Sequence, residues 1–165
     1  MNPVYFTGKE VLDMAVKIEE NGLRYYTDAA GASKSADLKT LFTFLADQEK
    51  DHIKIFTGLR KLLADTDAES SQADYGEEAT LYLNALADSE VFTSPNEGAR
   101  LAKSVKSDKE AVELAIGMEK DSLLFYYEIQ KMIRPQDASV LEHLIAQEKD
   151  HVRRLTAQLK AMGKK

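Results

Sequence analysis

The sequence predicts an all-α protein, a four-helix bundle built from two similar helical hairpins. Three observations carry this expectation. Helix breakers are few, with 3 Pro and 8 Gly in 165 residues, against a background rich in Ala, Leu, Glu and Lys, which favour helix. Apolar residues recur at three- and four-residue intervals, the period of one buried helix face. The same pair of segments also occurs twice in the same order.

The first repeated segment is TGKEVLDMAVKIEENGLRYY at 7–26, which returns as SDKEAVELAIGMEKDSLLFY at 107–126. Lys9, Glu10, Ala15, Glu19, Leu23 and Tyr26 coincide with Lys109, Glu110, Ala115, Glu119, Leu123 and Tyr126. The second is QEKDH, at 48–52 and again at 147–151. Two copies make a duplicated hairpin, whereas a solenoid needs at least three.

Each copy opens with a helix-start signal. Thr7-x-x-Glu10 and Ser107-x-x-Glu110 have the form of capping boxes, where hydroxyl and carboxylate satisfy orphan N–H groups. The first helix then carries Val11, Ala15, Ile18, Gly22, Tyr25 and Ala29 on one stripe. Its repeat carries Ala111, Ala115, Met118, Ser122, Phe125 and Ile129. Gly31 is expected to stop the first helix, and Pro135 the third. The second helix is expected over 36–63 behind Ser35 as N-cap, and the fourth over 136–162 ahead of Gly163. The short loops within each hairpin imply antiparallel neighbours.

Residues 64–106 form a long crossover. DTDAESSQADYG is polar and turn-like, Leu81, Leu83 and Leu86 have helical spacing, and Ser94-Pro95 opens a short helix to about Lys103. The whole of 1–165 is therefore expected to be one domain: hairpin 7–63, crossover 64–106, hairpin 107–162.

Composition narrows the function. A net charge of −6 argues against nucleic acid as a partner, because phosphate binding needs clustered Lys and Arg. With no cysteine, the chain offers no disulfide, thiol nucleophile or Cys-ligated iron. No segment approaches the length of a membrane span. MNPVYFTGKE lacks a basic region followed by an apolar run. No membrane association is expected, and a cytoplasmic location follows by default.

The polar residues on the buried stripes point to metal chemistry. Glu19 and Glu119 lie on or beside the apolar faces, where an unpaired carboxylate is costly and needs a positive partner. Glu49 and His52 are three residues apart, so they share a helix face. Glu148 and His151 repeat the arrangement. Four carboxylates and two imidazoles, one set per helix, suit iron, manganese or zinc. With 15 Glu and 3 His in the chain, chance placement gives about 0.3 E-x-x-H pairs. Two pairs within identical QEKDH strings exceed that.

IEENGLRYY, FLADQEKDH, MEKDSLLFYYE and LIAQEKDH together resemble the ferritin-like superfamily, specifically its rubrerythrin-like branch. That resemblance implies a di-iron carboxylate centre. Glu19 and Glu119 would flank or bridge two metal ions, Glu49 and Glu148 would bridge or chelate, and His52 and His151 would each cap one. It implies reaction with hydrogen peroxide or oxygen, and it allows for a homodimer. The sequence departs from rubrerythrin proper in lacking a Cys-ligated rubredoxin domain, so an external electron-donor protein is expected. It also has Ser122, with Gly22 as its mate, where rubrerythrins carry a further Glu. Iron or zinc handling without turnover is the second expected function, and a purely structural bundle the third.

Some neighbours read two ways. Tyr26 and Tyr126, two turns beyond the glutamates, could bond the ligands or carry electrons, with core packing as the first expectation. Tyr25, Phe125 and Tyr127 are expected to pack. Asp51 and Asp150 are expected on a solvated face, and His143 is expected to be partly exposed.

Overall fold

The computed structural model describes residues 8–64, 81, 85, 96–132 and 138–163. These hold α1 (Gly8–Ala32), α2 (Ala36–Ala64), a short α3 (Glu97–Ser104), α4 (Asp108–Met132) and α5 (Ala138–Met162). Leu81 and Ala85 are helical and exposed. The expected features at Thr7, the turn-like stretch after Ala64, Leu83, Leu86, Ser94, Pro95, Pro135 and Gln136 lie outside the described residues.

Ser35 caps α2 as expected, with the Leu38 N–H donating to its Oγ at 3.4 Å. Ser107 caps α4, accepting from the Glu110 N–H at 3.2 Å. The reciprocal half of that capping box is displaced by one residue: Glu110 accepts from the Lys106 N–H at 2.8 Å, not from that of Ser107. Gly31 does not stop α1. The helix runs through it to Ala32 and ends where the Ser33 N–H still reaches Ala29 O, so no left-handed glycine is needed there.

The apolar stripes are buried as the spacing requires, with Val11, Ala15, Tyr25, Ala29, Ala115, Phe125 and Ile129 all inside. Tyr127 departs from expectation. It is 39% exposed, with the Lys149 ammonium 5.4 Å from its ring centroid.

The buried residues form two clusters. One joins the start of α1 to the end of α2, the end of α4 and the start of α5, around Phe56, Tyr126 and Leu141. The other joins the opposite halves, around Tyr25, Phe42, Val112 and Leu155, with Ala102 of α3. This grouping fixes the topology: α1 runs with α5, and α2 with α4. The chain leaves α2 at one end of the bundle and enters α4 at the other, so the crossover must travel the bundle's length. That geometry explains a connection of some forty residues where a tight loop would fail.

α3 lies on α1 through a close contact at Gly98. A Cβ there would fall 1.8 Å from the Asn21 carbonyl oxygen, so only glycine lets the two backbones meet. The Gly98 N–H also donates to Asn21 Oδ1 at 3.4 Å.

Candidate metal centre

Between the two apolar clusters lies one polar layer. Glu19 and Glu119 enter it from α1 and α4, Glu49 and His52 from α2, Glu148 and His151 from α5. All six are buried, none more than 3% exposed. The spacing of the duplicated hairpins explains the shared height, since each copy sets its glutamate and its E-x-x-H pair at nearly the same separation along the chain.

Nδ1 of each histidine faces the carboxylates, while Nε2 of each is buried without a hydrogen-bond partner among the described residues. His52 Nδ1 lies 2.8 Å from Glu148 Oε1, 3.3 Å from Glu19 Oε2 and 3.6 Å from Glu49 Oε2. His151 Nδ1 lies 3.0 Å from Glu148 Oε2 and 3.4 Å from Glu119 Oε1. Glu148 thus turns one oxygen to each histidine. The two rings stack with centroids 5.6 Å apart. Beside them Gln147 donates to Gln48 Oε1 at 3.2 Å, so residues related by the duplication meet at an approximate two-fold axis.

The tyrosines join the layer crosswise. Tyr26 donates to Glu119 Oε1 at 2.5 Å, and Tyr126 donates to Glu19 Oε1. Both rings are fully buried, so they pack the core and also hold the carboxylates. Sequence alone could place them two turns along the same helix, but not across the bundle. Asp51 pairs with Lys54, and Asp150 with Arg153 and Arg154, on the outside. His143 is exposed.

Without a metal, protons must balance so many buried acids. Burial pushes the Glu19, Glu49 and Glu119 carboxyls above the ordinary range, because a charged carboxylate loses its hydration there. Burial opposes the charge on Glu148 too, but contacts with Glu119, His151 and His52 outweigh it and hold Glu148 below that range. Burial also works against both imidazolium ions. For His151, contacts with Glu119 and Glu148 outweigh it and raise the pKa to about 10. His52, beside Glu148, Glu19 and Glu49, is raised further.

These groups fit divalent metal. Ligand atoms of Glu19, Glu49, His52 and Glu148 all lie within 4.8 Å of one another, as do those of Glu49, Glu119, Glu148 and His151. Glu49 and Glu148 belong to both sets. Glu148 Oε1 is buried with no hydrogen bond, although His52 Nδ1 lies 2.8 Å from it. Four ionised carboxylates and two neutral imidazoles would be neutralised by two divalent ions. The oxygen-rich donor set suits iron or manganese, with imidazole also accepting zinc.

A small cavity opens between α1 and α4 beside Glu19, Glu49 and Glu119, bounded also by Gly22, Ser122 and Leu101. The histidines lie on the far side, toward α2 and α5.

Fold and cluster together define a class: a four-helix bundle with a duplicated carboxylate–histidine centre in its core. The rubrerythrin family profile matches residues 10–159, and the chain belongs to that family. A crystal structure from Thermotoga maritima, described as that of a ferritin-like diiron-carboxylate protein, has the same fold. It is 24% identical, with a TM-score of 0.67 over 94% of this chain and 96% of that one. No curated protein matches the sequence. Among the described residues, no helix is long and apolar enough to cross a membrane.

Proposed function

We propose that this protein is a cytoplasmic di-iron carboxylate oxidoreductase that reduces hydrogen peroxide or oxygen with electrons from a separate donor protein. The observation that carries this reading is the sharing of Glu49 and Glu148 between two donor sets. Two overlapping sets with two common carboxylates suit a pair of ions held close together, not two independent sites.

In this reading Glu19 and His52 would hold one ion and Glu119 and His151 the other, with Glu49 and Glu148 available to both. Two ferrous ions there would supply the two electrons that, with two protons, convert hydrogen peroxide to two waters. Tyr26 keeps its proton, since burial and the Glu119 charge push its pKa well up. Its hydroxyl therefore remains a donor that orients Glu119 Oε1, as the Tyr126 hydroxyl orients Glu19. The apolar clusters at both ends of the layer keep bulk water away from the reacting atoms. With no cysteine in the chain, a thiolate-ligated electron store has no ligands here, which points to a donor outside it.

The test is anaerobic loading with ferrous ion, followed by rapid mixing with hydrogen peroxide. Oxidation much faster than that of free ferrous ion is expected. Two bound ions oxidised no faster than free ion would refute the oxidoreductase reading and leave metal handling without turnover.

A further inference from the structure

The Gln48–Gln147 contact joins residues related by the duplication, but a single hydrogen bond cannot obey a two-fold axis. Gln147 donates and Gln48 accepts, so the two amides play unlike parts. The Gln48 carbonyl is engaged. Gln147 Oε1 is buried with no donor among the described residues. Leaving a buried acceptor unfilled is costly, so this oxygen calls for a donor.

A donor stands one turn away. His151 follows Gln147 by four residues, so the two share a face of α5, and the ring leans back toward the Gln147 turn. Its Nδ1 faces the carboxylates, and its Nε2 is buried with no partner among the described residues. A neutral imidazole that gives Nδ1 to a metal carries its proton on Nε2, and that N–H needs an acceptor. His52 has the same need, but Gln48, one turn before it, already has its carbonyl engaged.

The surroundings of the two rings differ in the same sense. The Phe44 ring meets that of His151 edge to face at 6.3 Å, and the Arg154 guanidinium lies 4.8 Å over Phe44. The repeat puts His143 and Ile55 at those two positions, so this cover is not duplicated.

We propose that the Gln48–Gln147 pair makes the two metal positions inequivalent. Gln147 is a positioning residue that accepts from His151 Nε2–H when metal occupies Nδ1, and the ion at His151 is the tighter of the two. The proposal rests on the metal reading above and is independent of turnover.

Zinc, which is diamagnetic, is the probe. Protein labelled with 15N-histidine is loaded with zinc, and NMR follows the exchange of each Nε2–H proton with water. Contact with Phe44 identifies the His151 resonance. That proton is expected to exchange at least tenfold more slowly than its His52 counterpart. Titration against a chelator should give two affinities about tenfold apart, the low end for loss of a hydrogen bond behind a metal-bound histidine. Gln147→Met removes the acceptor at similar size and should abolish both differences, while Gln147→Glu keeps an acceptor and should preserve them. Two protons that exchange alike in the wild-type protein overturn the proposal without any variant. So does a His151 proton still protected in Gln147→Met protein, or a Gln147→Glu protein that behaves as Gln147→Met does. If zinc does not bind, the shifted Nε2–H resonances of the ferrous protein give the same comparison. Failure of the wild-type protein to bind either metal would instead refute the metal reading.

Discussion

Tyr26, in the first hairpin, donates its hydroxyl hydrogen to Glu119 in the second at a distance of 2.5 Å. Tyr126 returns the bond to Glu19. Each half of the duplication therefore positions a carboxylate of the other, so the two hairpins must be docked before either carboxylate is fixed.

This crossing makes a directional expectation. Tyr26→Phe should weaken the ion held by Glu119 and His151, and Tyr126→Phe the ion held by Glu19 and His52. Each change should also lower stability by about 1–3 kcal/mol, because a buried carboxylate oxygen loses its donor. A double-mutant cycle of Tyr26→Phe with His151→Ala should be non-additive in metal affinity, and with His52→Ala nearly additive. The reverse pattern would place each tyrosine in service of its own half.

The shared carboxylates should behave unlike the terminal groups. Glu49→Gln or Glu148→Gln should lower the affinity for both ions, whereas His52→Ala or His151→Ala should leave one ion bound. Metal analysis after dialysis distinguishes the two. One residual ion in Glu49→Gln and Glu148→Gln protein alike would mean that neither carboxylate is shared.

Proton linkage has a definite sign. His52 and His151 have raised values in the folded protein. Their stabilising effect is full below the unfolded value near 6.5 and is lost as pH rises, through about 10 for His151. The raised Glu19, Glu49 and Glu119 act in the same sense from above pH 4.5. Glu148, held low, acts in the opposite sense. The metal-free protein should therefore lose thermal stability between pH 6.5 and 10. Metal binding should release at least two protons per pair of ions at neutral pH, one from each imidazolium. Calorimetry in buffers of different ionisation enthalpy measures that release, and no release would contradict the protonated metal-free layer.

Gly22 separates stability from metal binding. In Gly22→Ala protein, helix propensity favours the variant by about 1 kcal/mol, but the new Cβ would stand 3.2 Å from Glu49 Cδ. The metal-free melting temperature should hold or rise while metal affinity falls at least tenfold. Unchanged affinity would show that Glu49 has room to shift.

Much of this was legible in the sequence. The four long helices, the topology class and the six polar residues of the core layer follow from period, repeat and the cost of burying charge. Ser35 and Ser107 marked their helix starts. Other features lacked a local signal. The tyrosine bonds span 93 and 107 residues, and helical period says only which face a residue is on. Gly31 does not end α1, and a helix-permissive glycine and a helix-ending one look alike without the backbone angles. Tyr127 follows Tyr126 directly, one step round the helix and outside the buried stripe, so hydrophobicity alone overstated its burial. Gly98 carried no signal at all, because its role depends on the Asn21 backbone 77 residues away.

The most direct test is the metal content of protein purified without tag or chelator and then equilibrated anaerobically with ferrous ion. Two irons per chain, falling to none or nearly none in the Glu49→Gln, Glu148→Gln double variant, is the expected result. Iron-free protein, or two irons retained by that double variant, would contradict a shared centre built from Glu19, Glu49, His52, Glu119, Glu148 and His151.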